Sequence, residues 1–243
     1  MAQSNILITG ATSGIGLSLV KLYATRGHQV IACGRNQDKL DELDVSLSNI
    51  RTVCFDITNE QQINNATSNI EALDVIVLNA GDCLYMDNVK QFDANVFSKV
   101  ININLVSMGY VLSALLPKLK TGGQLVFISS SATILPFPRA EAYGASKAGV
   151  DYLANSLRID LAQQHVDVTL IHPGFIKTPL TDKNTFDMPF MLSSEQAALR
   201  IHKAIQKRAT YSHFPKRFTF FLKLLSCLPY SWWSSFASKR LVL

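Results

Sequence analysis

Tyr143 and Lys147 are separated by Gly144, Ala145 and Ser146. On a helix, residues four apart share a face, so the phenol and the ammonium point the same way. A free phenol titrates near about 10, too high for proton transfer at neutral pH. An ammonium beside it stabilises the phenolate and tunes the tyrosine as a general acid/base. A second group of residues suits phosphate rather than proton transfer. In Thr9-Gly10-Ala11-Thr12-Ser13-Gly14-Ile15-Gly16, glycines let the backbone turn tightly and approach a pyrophosphate. A helix opening at Ile15 would add free N–H groups and partial positive charge.

Those residues need a frame. Continuous apolar runs at Asn5–Thr9, Gln29–Cys33, Thr52–Phe55, Val75–Leu78, Gln124–Ser129 and Val166–Ile171 read as buried strands, with a last strand at Ala209–Phe214. Helical spacing marks Ile15–Arg26, Gln37–Leu47, Ala66–Ala72, Phe92–Leu115, Ala142–Gln163 and Glu195–Arg208. Strands alternating with helices predict a parallel sheet covered on both faces, the doubly wound Rossmann-type α/β architecture in a single domain over residues 1–243.

Composition fits this frame. With 48% hydrophobic and 17% charged residues, the chain can bury a large core and is not a disordered one. Cys33, Cys54, Cys83 and Cys227 are scattered, which suits a reducing cytoplasm better than a disulfide framework. The five histidines show no ligand spacing, so no metal is assigned. No signal peptide and no apolar run of about 18 residues is read. Charge is uneven. Residues 196–243 carry +9 with no Asp or Glu, and residues 1–195 carry −4. The basic stretch lacks the interleaved pattern of a nucleic-acid module, so no nucleic acid is assigned.

With the loop and the Tyr-x-x-x-Lys pair in order along the chain, the sequence resembles the short-chain dehydrogenase/reductase family over roughly residues 5–180. The resemblance implies a hydride transfer between a nicotinamide dinucleotide and a carbonyl or secondary alcohol. A non-catalytic dinucleotide-binding sensor or scaffold is the alternative. In the family a catalytic serine stands thirteen residues before the tyrosine, which selects Ser130 from Ser129-Ser130-Ser131 and leaves turn chemistry to the other two. Asn104 matches the helix asparagine that holds a water beside the lysine; Asn102 competes for the role. The implied catalytic set is Asn104, Ser130, Tyr143 and Lys147. Lys147 would also bond the nicotinamide ribose.

The same resemblance assigns the cofactor contacts. Gly10, Thr12, Ser13, Gly14, Ile15 and Gly16 would cradle the pyrophosphate. The family's ribose-reading acidic position falls on Gly34, which has no carboxylate, and Arg35 follows it. A guanidinium binds a phosphate bidentately, so NADP(H) is favoured over NAD(H). Asp56 and Ile57 resemble the adenine-contacting pair, with a helix cap at Asp56 or Thr58 as the plainer role. Asn79, Ala80 and Gly81 resemble the motif running beside the ribose. Pro173, Gly174, Ile176 and Thr178 resemble the segment under the nicotinamide.

Apolar loop residues are the substrate candidates: Leu84, Tyr85, Met86, Ile134, Leu135, Phe137, Phe175, Phe186, Phe190 and Met191. They favour a hydrophobic ketone over a sugar. Family resemblance implies a homodimer or homotetramer through the helices bearing Asn104 and Tyr143. The tail, residues 216–243, departs from the family. Its apolar stretch, Trp232, Trp233 and basic residues suit a peripheral membrane contact, a lid or a subunit contact.

Overall fold

The computed structural model describes residues 3–46, 48–184 and 186–240. In chain order it runs β1 (Asn5–Thr9), α1 (Gly14–Thr25), β2 (Gln29–Gly34), α2 (Gln37–Ser46), β3 (Ile50–Cys54), α3 (Glu60–Thr67), β4 (Leu73–Leu78), α4 (Ala94–Ile101), α5 (Ser107–Leu115) and β5 (Leu119–Ile128). There follow α6 (Glu141–Leu161), β6 (Asp167–Pro173), β7 (Ile176–Lys177), β8 (Leu192–Ser193), α7 (Ser194–Gln206), β9 (Tyr211–Phe214), α8 (Lys216–Ser226) and α9 (Tyr230–Arg240). Among the described residues, seven parallel strands form one sheet in the order β3-β2-β1-β4-β5-β6-β9, and β7 pairs with β8 apart from it. The order reverses direction after β1, so a crevice opens at the carboxyl ends of β1 and β4, where such sheets bind ligands.

Each central strand buries both faces, which is why it reads as an unbroken apolar run. Ile6 and Ile8 of β1 join Val126 and Ile128 of β5 under α1 and α7. Leu7, Leu125 and Phe127 point the other way, against α5 and α6. Phe127 is fully buried at the centre of the second layer.

Local chemistry moved several expected boundaries. The helix expected at Ala66–Ala72 is α3, which starts earlier because Asn59 caps it by accepting from the Gln62 N–H. The cap is therefore neither Asp56 nor Thr58. β5 begins at Leu119, five residues before the expected start, and β6 runs on through Pro173. The end expected for the second helix, Leu47, lies outside the described residues. The long helix expected from Phe92 starts at Ala94 behind an Asp93 cap and is interrupted by one wide π turn, Asn102–Val106. This helical run, Ala94–Lys118, is long and apolar enough to cross a membrane by length and composition. Here it packs on the sheet through Met108, Val111 and Leu115 instead. Beyond β9 the tail forms α8 and α9, which pack against Leu135 of the loop after β5.

Candidate active site

The phosphate loop comes first because its shape depends on missing side chains. Gly14 adopts φ +51°, and a Cβ there would meet the Thr178 side chain at 2.8 Å. A Cβ on Gly16 would stand 2.1 Å from the Gly10 carbonyl oxygen. The loop is therefore a cradle that only glycine permits. Ser13 precedes α1 without capping it by its side chain, so the N–H groups of the first turn stay available to an anion. Thr12 packs beside Gly34, and Ile15 is half-buried at the start of α1. Asn79 ties β4 to this loop: its Nδ2 donates to the carbonyls of Thr9 and Gly10 at 3.0 and 3.3 Å. Ala80 follows, its N–H donating to the Thr9 hydroxyl.

At the rim, Arg35 is exposed just past the end of β2. Asp56 lies across from it at the end of β3. Its carboxylate accepts from the N–H and hydroxyl of Thr58 at 2.8 and 2.7 Å. The backbone bond from Thr58 and the nearby Arg35 charge hold the acid below its ordinary value, against a smaller opposing effect of burial. Ile57 packs partly into the core beside it. From the other side, Gly174 donates its N–H to the Phe214 carbonyl at 2.7 Å, fixing the turn after Pro173. Ile176 is buried, and Thr178 is anchored by its N–H to the Thr181 hydroxyl at 3.0 Å, which brings this segment over Gly14.

The residues expected to be catalytic converge at the carboxyl ends of β4 and β5. Tyr143 and Lys147 share one face of α6, as their spacing requires. The Tyr143 phenol faces the Ser130 hydroxyl, which weighs on its acidity. Lys147 is buried, and its Nζ donates to the Ile128 carbonyl at 2.9 Å. Asn104 sits fully buried in the π turn. Its Nδ2 donates to the Asp82 carbonyl and the Ser146 hydroxyl at 2.8 and 2.9 Å, and its Oδ1 accepts from the Asp82 N–H. The Asn104 amide and the Lys147 ammonium both reach Gly81, where a Cβ would stand 3.1 and 3.4 Å from them. The wide turn explains how an asparagine mid-helix reaches the loop, a use for which π turns recur at functional sites. Asn102, the competing residue, caps α4 and opens the same π turn.

Burial pushes the Tyr143 phenol above its ordinary value, the Cys83 thiol adds to this, and only the Ser130 hydroxyl opposes it. The Lys147 Nζ lies 5.9 Å from the Tyr143 ring centre and donates to the Ile128 carbonyl. Burial also lowers Lys147, to about 8, against the opposing carboxylate charge of Asp151. The serines divide their work differently than expected. Ser130 itself accepts from the Ala132 N–H, holding the turn, while the Ser129 hydroxyl donates to Asp151.

Asp151 and Cys83 were not singled out in the sequence. Asp151 stands one helical turn beyond Lys147 on the same face, a spacing that could have identified it. It meets His172 Nε2 at 3.0 Å, and His172 Nδ1 meets the Tyr211 hydroxyl at 3.1 Å. A polar chain thus runs from β9 through β6 to the residues behind Lys147. Cys83 is drawn in by the loop after β4, and no spacing rule announces it.

The apolar candidates gather at two places around this centre. Leu84 and Met86 pack with Tyr143. Leu135, Ile134, Phe137 and Phe175 pack with Phe218, Leu222 and Trp233 of the tail. Tyr85 and Phe175 both meet Phe186 edge-on, at 5.7 and 6.0 Å, and Phe190 lies 6.4 Å from Phe218. Met191 is exposed and lies outside these clusters.

Known proteins share both the sequence and the shape. Residues 4–188 match the family profile described as short chain dehydrogenase. An uncharacterized oxidoreductase of Myxococcus xanthus is 32% identical over 239 residues, covering 94% of each chain. A 3-oxoacyl-[acyl-carrier-protein] reductase of Rickettsia prowazekii is 36% identical over 180 residues, 73% of this chain and 74% of that one. Among solved structures, the closed form of a serine dehydrogenase complexed with NADP+ superposes with a TM-score of 0.78 at 26% identity, covering 86% of this chain and 94% of the other. A match across three quarters of its length, on a sheet and site of this form, makes the chain a member of the short-chain dehydrogenase family.

Proposed function

We propose that the protein is an NADP(H)-dependent oxidoreductase that interconverts a carbonyl and a secondary alcohol on a hydrophobic small molecule. The observation that carries this reading is the meeting of the Tyr143 and Ser130 hydroxyls above buried Lys147, at the edge of a glycine cradle. Two donors converging on one point suit an oxygen on which negative charge develops. When bound, the nicotinamide supplies or accepts the hydride. Ser130 holds the substrate oxygen. Tyr143, kept protonated by burial, gives its proton to that oxygen during reduction. Lys147 and Asn104 orient the ribose and the proton path beside Gly81.

For the cofactor, the N–H groups from Ser13 to Gly16 would hold the pyrophosphate, and Asp56 with Ile57 the adenine. Asn79, Ala80 and Gly81 would border the ribose, and Pro173, Gly174, Ile176 and Thr178 would support the nicotinamide. β2 ends at Gly34 without a carboxylate, and exposed Arg35 beside it suits a 2′-phosphate. The serine dehydrogenase that shares this fold is itself complexed with NADP+. The aromatic and aliphatic walls around Tyr143 favour an apolar carbonyl substrate. All four thiols are free, which fits a cytoplasmic site of action. Tyr152 and Ile159, both highly exposed on α6, fit the outer face expected to pair copies of the chain.

Fluorescence titration with NADPH and NADH, on wild type and on Arg35→Ala, tests the cofactor assignment. Preference for NADPH that collapses on Arg35→Ala supports it. A preference for NADH overturns the NADP(H) assignment, and binding of neither overturns the enzyme reading.

A further inference from the structure

The last two helices present apolar side chains on both faces. Inward, Phe218, Leu222, Trp233 and Ala237 pack against Leu135, and the Trp233 indole donates to the Pro136 carbonyl at 2.8 Å. Outward on α8, Phe221 and Leu224 follow one stripe at helical spacing, with Phe220 beside it and Leu228 exposed just past the helix end. Leu224 is 67% exposed and Trp232 on α9 is 65% exposed. Trp232, Phe236 and Lys239 line one shallow hollow on α9. Large apolar side chains collected in water mark an interaction surface rather than chance.

Charge identifies what the surface meets. Arg217 stands one turn before Phe221 on α8, exposed Lys216 precedes it, and Lys239 is exposed on α9 beside Trp232 and Phe236. None of the three forms an ion pair among the described residues. Beyond Glu195 the sequence has nine Lys and Arg and no Asp or Glu. Against a second copy of itself, this face would set like charges together with no carboxylate to offset them. A surface of anionic headgroups over hydrocarbon complements both features. Tryptophan and long basic side chains are the residues that settle at that boundary.

We propose that the outer face of α8 and α9 docks on anionic lipid bilayers. The surface is distinct from the catalytic residues, and its test does not depend on turnover. The inner face of the same helices holds residues 134–137, which follow Ser130 in the chain, so docking sets the site close to the bilayer.

Sedimentation of the full chain with phosphatidylcholine vesicles, with and without phosphatidylglycerol, reads the proposal. The protein should pellet with the anionic vesicles and be released in part by salt. Each basic residue near such a surface contributes about fivefold, so the combined Lys216→Gln, Arg217→Gln, Lys239→Gln variant should bind on the order of a hundredfold more weakly. Phe221→Glu with Leu224→Glu should abolish binding while Tm and NADPH affinity stay at wild-type values. Wild type remaining in the supernatant with anionic vesicles overturns the proposal. So does a Phe221→Glu, Leu224→Glu protein that loses self-association in ultracentrifugation yet binds vesicles unchanged.

Discussion

Lys147 is held between burial, which strips its proton, and the carboxylate of Asp151, which keeps it. Because its value is lowered to about 8, the residue loses its charge as pH rises through that range. Turnover should therefore show an alkaline limb near there. Removing Asp151 removes an influence that raises Lys147, so Asp151→Asn should move this limb to lower pH in a kcat/KM profile. An unshifted limb, with only a uniform loss of rate, would mean that Asp151 serves packing alone. At this scale the sequence disclosed the pair with a fixed spacing, Tyr143 and Lys147, since helical geometry needs no tertiary knowledge. It also disclosed Ser130, through the family spacing. It did not disclose Cys83, whose approach to the site depends on a loop path. Nor did it disclose which influence wins on the phenol, because burial cannot be counted from residue types.

Elements place these residues, and some carry pH-sensitive weight. His202 on α7 is buried with Nδ1 unpartnered, packed edge-on against Tyr23 at 5.3 Å. Burial lowers it from 6.5 to about 4, and burial with Lys216 and Lys223 nearby does the same to His213 on β9. Between those values the unfolded chain binds more protons than the folded one, so stability is complete above pH 6.5 and falls as pH drops toward 4. Thermal unfolding from pH 7.5 to 5 should show a falling Tm, and His202→Met should flatten the fall. An identical slope in the variant would refute the assignment. The central strands of the sheet were legible because each is apolar on both faces, as with β1 and β4. Helix starts were less so. Asn59 rather than its neighbours caps α3, a choice made by backbone geometry. The π turn at Asn104 leaves no periodicity that differs visibly from an α-helix over a few residues.

Across the whole molecule, one sheet presents the candidate site at its carboxyl edge, with the tail packed beside it. Assembly belongs to this scale. Tyr152 and Ile159 stand two turns apart on the exposed face of α6, so Tyr152→Asp with Ile159→Asp should convert an oligomer to monomer in size-exclusion chromatography. Unchanged elution would exclude that face. The tail was visible in the sequence as a break in composition, while its division into two helices depended on a docking surface at Leu135 and Pro136 that no local pattern describes. The fold, the site and the family meet in the claim that Tyr143 exchanges a proton with a substrate oxygen. The direct measurement is NADPH consumption with a panel of hydrophobic ketones by wild type and Tyr143→Phe, with NADPH affinity followed in parallel. The account predicts turnover reduced by about 10²-fold or more in the variant with affinity retained. Turnover equal to wild type in Tyr143→Phe would contradict it.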